Sequence, residues 1–427
     1  MINYSTMGAR IKGKVLGFCE KCSRGLSKPM RKFVADMIYG IMAAGDCKLT
    51  EISRALKESI TLRKTVDRLG RNLADFGEGN AETVMENYLD VIRPSLRANT
   101  MLLIDSGDVT KPCSLKMEGI GTVYDGSKGT YGDGYWTMGA VALTENGQPV
   151  PVYENLYPCN EEGGFGFNAE TKKCVESLRK NFGPENPRLF DRGFDVGWLL
   201  QELIRKNEKF ILRQNQNRVA IHNGRKAKVE DIVRGLVCTH EMKFHSKTGN
   251  ISKCKIGMTQ ITLPGVENLK VNLVVCKDFG EKPLVLYTNL CETVEEVAVR
   301  VVKGYLMRWR IEEFYAFKKQ ELNFEDFRVR SLNSIKTLDL LLTIAAGHIG
   351  LLCAKVNQEL FVADLIFASR RLLRYNVFVK ETKVFYSAIH NGITAILATL
   401  RNGIAHFFST HTPSAQLSFF PLLEKMG

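Results

Sequence analysis

Met101-Leu102-Leu103-Ile104-Asp105 is the stretch on which the fold turns. Apolar residues in an unbroken run, with no turn-former among them, read as a buried strand, and the carboxylate that follows must find a cation or water. A second run of the same form, Arg188-Leu189-Phe190, is also closed by an acid, Asp191. Between the two lie an apolar stretch from Tyr135 to Leu143, an Asn146-Gly147 turn, and Val150-Pro151-Val152-Tyr153, which together give a hairpin signal. A helix is expected from Ala169 to Asn181, ahead of Arg188; after Asp191 come a helix from Gly197 to Lys206 and a strand from Lys209 to Arg213. Strands with a hairpin, then helix, strand, helix, strand, define a mixed α/β sheet with two acids at strand ends.

The flanks differ from this centre. Ser27 is placed to cap a helix, Pro29 falls in a permitted first-turn position, and Phe33, Met37, Ile38, Ile41 and Met42 repeat at helical spacing up to Gly45. A second helix is expected from Thr50, with Ile52, Ala55 and Leu56 inward. A third carries Leu62, Val66, Leu69 and Leu73 inward, with Arg63, Lys64, Arg68 and Arg71 on its other faces. A short helix, a tight break and a basic helix outline a DNA-reading unit, although an ordinary solvated bundle shows the same pattern. Residues 214–290 are β-branched and Lys-rich, with strands expected at Lys253–Leu263, Leu269–Cys276 and Leu284–Thr288, and read as a separate β-rich insertion. Helix resumes from Thr293 to about Gln320, and apolar helical runs fill Ser334 to Leu400. The expected layout is therefore a helical region over 1–98, a core over 99–213 and 291–330 interrupted by 214–290, and a C-terminal helical region over 331–427.

Composition narrows the partners. The 427 residues carry 59 Lys and Arg against 46 Asp and Glu, a formal net charge of +13. Residues 1–100 hold 17 basic and 11 acidic side chains, nearly half the excess. A polyanion is the expected partner. The longest apolar run, Leu340 to Lys355, contains His348 and is short for a membrane span, so no membrane partner is expected. The first twenty residues lack the apolar core of a secretory signal, and the eleven cysteines are odd in number and scattered, so a reducing cytoplasm is the expected location. There is no Gly-x4-Gly-Lys-Ser/Thr loop, and no nucleotide cofactor is expected.

The stretch richest in chemistry is Gly304-Tyr305-Leu306-Met307-Arg308-Trp309-Arg310-Ile311-Glu312-Glu313-Phe314-Tyr315-Ala316-Phe317-Lys318-Lys319. On a regular helix Tyr305, Arg308, Glu312 and Lys319 share an arc about 60° wide, while Glu313 points about 100° away from Glu312. A phenol, a guanidinium, a carboxylate and an ammonium thus occupy one face. An Arg308–Glu312 pair on a solvated helix would account for two of them at only ~0.2–0.5 kcal/mol.

The Tyr-x2-Arg-x3-Glu-x6-Lys spacing resembles the signature helix of bacterial insertion-sequence transposases of the DDE type, the branch marked by a Tyr-Arg-Glu-Lys helix. The resemblance implies an RNase H-like core in which Asp105 ends the first strand, Asp191 follows the fourth, and a β-rich insertion precedes the helical Glu312. It implies an N-terminal region that binds transposon ends and a C-terminal region that helps dimerisation. It further implies an enzyme that binds the terminal inverted repeats of its element, cleaves phosphodiester bonds and joins 3′-hydroxyl ends to target DNA. A bacterial nucleoid location when bound to DNA goes with that. Where the branch often has Asp-Arg-Glu after the second acid, this chain has Asp191-Arg192-Gly193.

For in-line attack at phosphorus, two Mg²⁺ ions, with Mn²⁺ as a substitute, would stabilise both the attacking and leaving oxygens. Asp105 is expected to bridge them, with Asp191 and Glu312 each holding one. Arg308 and Lys319 are expected on DNA phosphates, and Tyr305 on a phosphate or the terminal strand. Trp309 and Trp136 could stack on an unpaired base, though core packing is the ordinary role of either. Asp108 and Asp195 read as solvated turn acids, with a supporting place beside the catalytic acids as the alternative for Asp108, Lys111 as an exposed lysine within reach of phosphate, and Arg192 as a partner for Asp191. Cys19-x2-Cys22 lacks a second half for zinc, and Cys238, His240, His245 and Cys254 are irregularly spaced for a four-ligand site. The glycine-rich Gly119 to Gly134 reads as a loop near the acids. An RNase H-like nuclease without strand transfer, and an inactive DNA-binding derivative, are the alternative functions.

Overall fold

The computed structural model describes residues 3–112, 114, 116–126, 128–159, 166–215, 218–245, 251–373 and 385–404. Helices α1 (Tyr4–Cys22), α2 (Lys28–Ala44), α3 (Leu49–Leu56), α4 (Leu62–Ala74) and α5 (Gly77–Ile92) open the chain. α2 begins and ends as expected: Ser27 is its N-cap, Pro29 lies in its first turn, and Gly45 closes it at φ 62°, a left-handed conformation that suits glycine. In α4, Leu69 and Leu73 are buried, but Leu62 is exposed and Arg68 is turned inward onto Asp36 and Glu58.

The sheet follows: β1 (Leu102–Thr110), β2 (Gly121–Asp125), β3 (Thr130–Leu143), β4 (Pro149–Tyr157), α6 (Phe167–Phe182), β5 (Arg188–Phe190), α7 (Gly197–Arg205) and β6 (Phe210–Arg213). The chain continues through β7 (Val219–His222), β8 (Arg225–Lys228), α8 (Val229–Gly235), β9 (His240–His245), β10 (Ile251–Leu263), β11 (Leu269–Lys277) and β12 (Leu284–Thr288). All twelve strands form one mixed sheet. β3 pairs antiparallel with β1 and β4, β5 lies parallel between β1 and β6, and β12 joins β6 antiparallel. The segment 214–290, expected as a β-rich insertion, continues the core sheet through β12, β11 and β10. Its pairing with β6 is non-local and leaves no trace in local sequence.

Beyond β12 come α9 (Val294–Val297), a π-helical turn at Ala298–Val302, α10 (Lys303–Leu306), α11 (Trp309–Gln320), α12 (Leu332–Ala354), α13 (Leu360–Leu373) and α14 (Tyr386–Thr399). Residues 374–384, with Lys380, and 405–427 of the expected C-terminal region lie outside the described residues. The flanking helices do not form two separate regions: α12 packs on α2, α4 and α5, and α14 packs on α1 and α2. α12 is longer than the apolar run suggested, and by length and composition it could cross a membrane. However, 83% of its most apolar window is buried inside the protein, which accounts for its composition.

This helical body grips the sheet at β4, which among the described strands pairs with β3 alone and carries Pro149 and Pro151 on that edge. Tyr88 of α5 donates its hydroxyl to the Pro151 carbonyl at 2.8 Å, and Tyr386 of α14 donates to that of Pro149. Both hydroxyls pass α12 at glycines: a Cβ on Gly347 would stand 2.0 Å from the Tyr88 oxygen, and one on Gly350 2.3 Å from the Tyr386 oxygen. The sheet's position against the bundle is thus set by two notches in one helix.

Candidate active site

β1 does not stop at Asp105. Residues 105–108 are half-buried and the strand runs on to Thr110, so Asp105 is carried within a strand, opposite Gly139 of β3. Asp191 follows β5 immediately, and β5 is hydrogen-bonded to β1 from Leu102↔Arg188 to Ile104↔Phe190. Parallel pairing in that register brings the two acids to neighbouring points on one edge of the core.

The third acid arrives on a broken helix. The segment expected as one helix from Thr293 to Gln320 is divided by the π turn and by tight i→i+3 bonds, Arg308 N–H to the Tyr305 carbonyl at 2.9 Å and Ile311 N–H to that of Arg308 at 3.1 Å. Such irregular turns re-aim side chains. Tyr305, from α10, donates its hydroxyl to Asp191 Oδ1 at 2.9 Å. Arg308 spans the other two acids, with Nη1 3.1 Å from Asp105 Oδ2 and Nη2 2.5 Å from Glu312 Oε1. Glu313 instead receives Arg310 at 2.8 Å, so Glu312 is the glutamate that joins the aspartates.

The structure thus brings Asp105, Asp191, Glu312, Tyr305 and Arg308 together, and puts Lys319 elsewhere. Its amine lies 2.9 Å from Asp108, further along β1, and 3.1 Å from Glu325, in the turn after α11. Arg308 and Lys319, expected on phosphate, are both ion-paired with the chain's own carboxylates. Among the described residues no group of three or more His, Cys, Asp or Glu stands in ion-holding geometry. Arg308 contacts two of the acids, Asp105 and Glu312, while Asp191 is contacted by Tyr305 and Arg213.

Electrostatics follow from that arrangement. Burial pushes the Asp105 carboxyl up to about 7; Asp191 and Glu312 add to the rise, while Arg308 and the Ser106 N–H oppose it. Burial acts in the same direction on Asp191 but is outweighed there by Arg308, the Arg192 N–H, the Tyr305 hydroxyl and Arg213, which hold it below the usual carboxylate range. Burial raises Tyr305 to about 12, so it remains a donor. Arg308 is driven up by the three acids despite its own burial.

Four neighbouring residues depart from expectation. Asp195 is no solvated turn acid: its side chain is 1% exposed, accepts from the Asn215 N–H at 2.7 Å and pairs with Arg218 at 2.5 Å. Asp108 is held within β1 by Lys319. Lys111 is buried, donating to the carbonyls of Glu325 at 2.6 Å and Phe327 at 2.7 Å, and so is withdrawn from any phosphate. Arg192 is exposed, and the cation on Asp191 is Arg213, 3.5 Å away. Of the two tryptophans, Trp309 is 43% exposed while Trp136 is half-buried against the core. Gly119–Gly134 is more ordered than a loop, containing β2 and the start of β3. Cys254 donates to the Met242 carbonyl, and the His245 side chain lies outside the described residues.

Two contributors escaped the sequence reading. Arg213 stands at the end of β6, the strand next to β5, a position that could have marked it. Tyr315 donates its hydroxyl to the Asp105 backbone carbonyl at 3.0 Å; as an aromatic on a half-buried helix it gave no signal beyond packing.

No protein-family model matches the chain, and no curated protein does. Among solved structures, a cryo-EM structure of a piggyBac transposase synaptic complex with hairpin DNA is similar at a TM-score of 0.45 and 11% identity, over 96% of this chain and 85% of that one.

Proposed function

We propose that this chain is a DDE-type transposase of the insertion-sequence kind, with Asp105, Asp191 and Glu312 as its catalytic acids. The observation that carries the reading is the convergence of three carboxylates, from β1, the end of β5 and α11, on the single residue Arg308 and its neighbour Tyr305. The strand order β4-β3-β1-β5-β6, antiparallel up to β1 and parallel beyond it, supports an RNase H-like core.

The donor set suits a hard divalent cation. Asp105 and Glu312 share the buried Arg308, Arg213 lies on Asp191, and burial, with the negative charge of Asp191 and Glu312 beside it, raises Asp105 to about 7 against the pull of Arg308. Asp105, Asp191 and Glu312 would hold Mg²⁺ or Mn²⁺, which supplies charge stabilisation to the attacking and leaving oxygens of phosphoryl transfer. Arg308, once its carboxylates have other partners, presents two N–H groups in a plane suited to a phosphate. Tyr305 keeps Asp191 oriented, and Arg213 adds positive charge beside it. Double-stranded DNA, both terminal repeats and target, is the proposed substrate, with a homodimer acting on paired ends.

The test uses the full-length protein on DNA carrying the inverted repeats that flank its gene. Mg²⁺-dependent cleavage, followed by joining that requires a 3′-hydroxyl, is expected, and Asp105→Ala, Asp191→Ala or Glu312→Ala should each abolish cleavage while end binding persists. Nicks without joined products would replace the transposase with a nuclease. Normal turnover in any of the three variants would remove the site assignment.

A further inference from the structure

Lys318, the residue before Lys319, is 2% exposed and is enclosed by charged groups from two other elements. Its amine lies 3.1 Å from Glu154 Oε1 on β4, donates to Thr343 Oγ1 of α12 at 3.1 Å, and pairs with Asp339 of α12. Glu154 and Asp339 are 2% and 3% exposed. Burial raises both acids above the ordinary carboxylate range against the pull of the one amine. Apolar residues of the same volume would hold these elements together at least as well, since desolvating ions offsets most of their attraction. Ions differ in fixing a position: a misplaced helix leaves a buried charge unpaired, whereas an apolar contact tolerates sliding.

Where α11 sits is what the acid cluster depends on. Glu312 rides on this helix, and on the same helix Tyr315 holds the carbonyl of Asp105 itself. Gly139, opposite Asp105, leaves the room: a Cβ there would be 2.4 Å from both the Tyr315 hydroxyl and Glu154 Oε2. One helix is therefore pinned to β4 and α12 by Lys318 and to β1 by Tyr315, both within two turns of Glu312.

We propose that Glu154, Lys318 and Asp339, together with Tyr315, are positioning residues that set Glu312 and Arg308 against Asp105. As a statement about the acids' catalytic use, this rests on the function proposed above; as a statement about geometry, it does not.

The experiment is a double-mutant cycle between Asp105→Asn and Arg308→Gln, read by urea denaturation of the full-length protein in EDTA. It is run in the wild-type background and in a charge-free one, Glu154→Gln/Lys318→Met/Asp339→Asn. The wild-type cycle should show a coupling of tenfold or more in the folding equilibrium, falling below threefold in the charge-free background although that protein still unfolds cooperatively. Unchanged coupling there would overturn the proposal. Should the triple variant not fold, Glu154→Gln alone, which leaves Lys318 and Asp339 as a one-to-one pair, carries the same cycle with the same criteria. Mn²⁺ affinity, measured in parallel, should weaken at least tenfold in the charge-free protein and in Glu312→Gln. Equal Mn²⁺ binding by wild type and Glu312→Gln would sink the metal reading alone, with the cycle still deciding the positioning.

Discussion

Asp105→Asn should make the metal-free protein more stable, and only above a definable pH. Folding raises this carboxyl from its ordinary 3.8 to about 7, chiefly by burial. A group raised on folding contributes stability that is complete below its unfolded value and is lost as pH climbs through its folded one. Between roughly pH 4 and 7 the wild type therefore loses up to about 1.4 kcal/mol per pH unit at this residue, about 4 kcal/mol as an upper bound. Asparagine, which cannot ionise, escapes the loss. The side chain is 19% exposed and lies within the field of Asp191 and Glu312, so roughly half to all of that bound is expected. Urea denaturation in EDTA, at one-unit steps from pH 4 to 8, should show the two proteins alike at pH 4 and the variant ahead by about 2–4 kcal/mol at pH 8. Groups common to both, including Glu154, cancel in the difference. A difference that stays flat with pH, or that favours the wild type at pH 8, would refute the argument from burial.

Arg308→Gln leaves Asp105 and Glu312 without their shared cation; a loss of about 3–5 kcal/mol at pH 8, shrinking by pH 5, is expected in the same assay. Gly139→Ala must displace both Glu154 and Tyr315 and should cost about 1–3 kcal/mol by urea titration. Arg188→Met leaves Glu208, 2.6 Å from Arg188 Nε with both side chains at 0% exposure, to Arg179 alone, and frees the carbonyls of Gly183, Pro184 and Asn186; a loss of about 1–3 kcal/mol should appear as a lower urea midpoint.

Sequence made the local elements legible where composition was one-sided. The apolar runs before Asp105 and Asp191 mark β1 and β5, and the Asn146-Gly147 turn marks the β3–β4 hairpin, because burial on both faces demands unbroken apolarity. β7 and β8 were missed because Arg225–Lys228 is an edge strand with polar residues at three of its four positions and no period to read. The joining of β12 to β6 was missed because register between distant strands is decided by packing. At the site, spacing picked out Tyr305, Arg308 and Glu312 and preferred Glu312 to Glu313. It could not foresee the π turn and tight bonds that direct Tyr305 to one aspartate and Arg308 to another. Asp195 and Lys111 read as exposed since Asp and Lys usually are, and Lys319 as a phosphate contact; each is held by a partner contributed by another part of the chain.

The two notches of α12 bear on the order in which this chain can be completed during synthesis. Phe33, Ile38, Tyr88 and Ile92 in the amino-terminal helices are fully or almost fully covered, and α12, some 240 residues further on, is among the elements packed against them. While the ribosome is still making the sheet, those helices have one another but lack the α12 face, and that part of their apolar surface is exposed to chaperones and proteases for that interval. Neither Glu312 nor the wedge that locks β4 exists until the last third is translated. A truncated product ending before residue 332 would thus be released without a closed interior, and its fate would be clearance rather than partial activity.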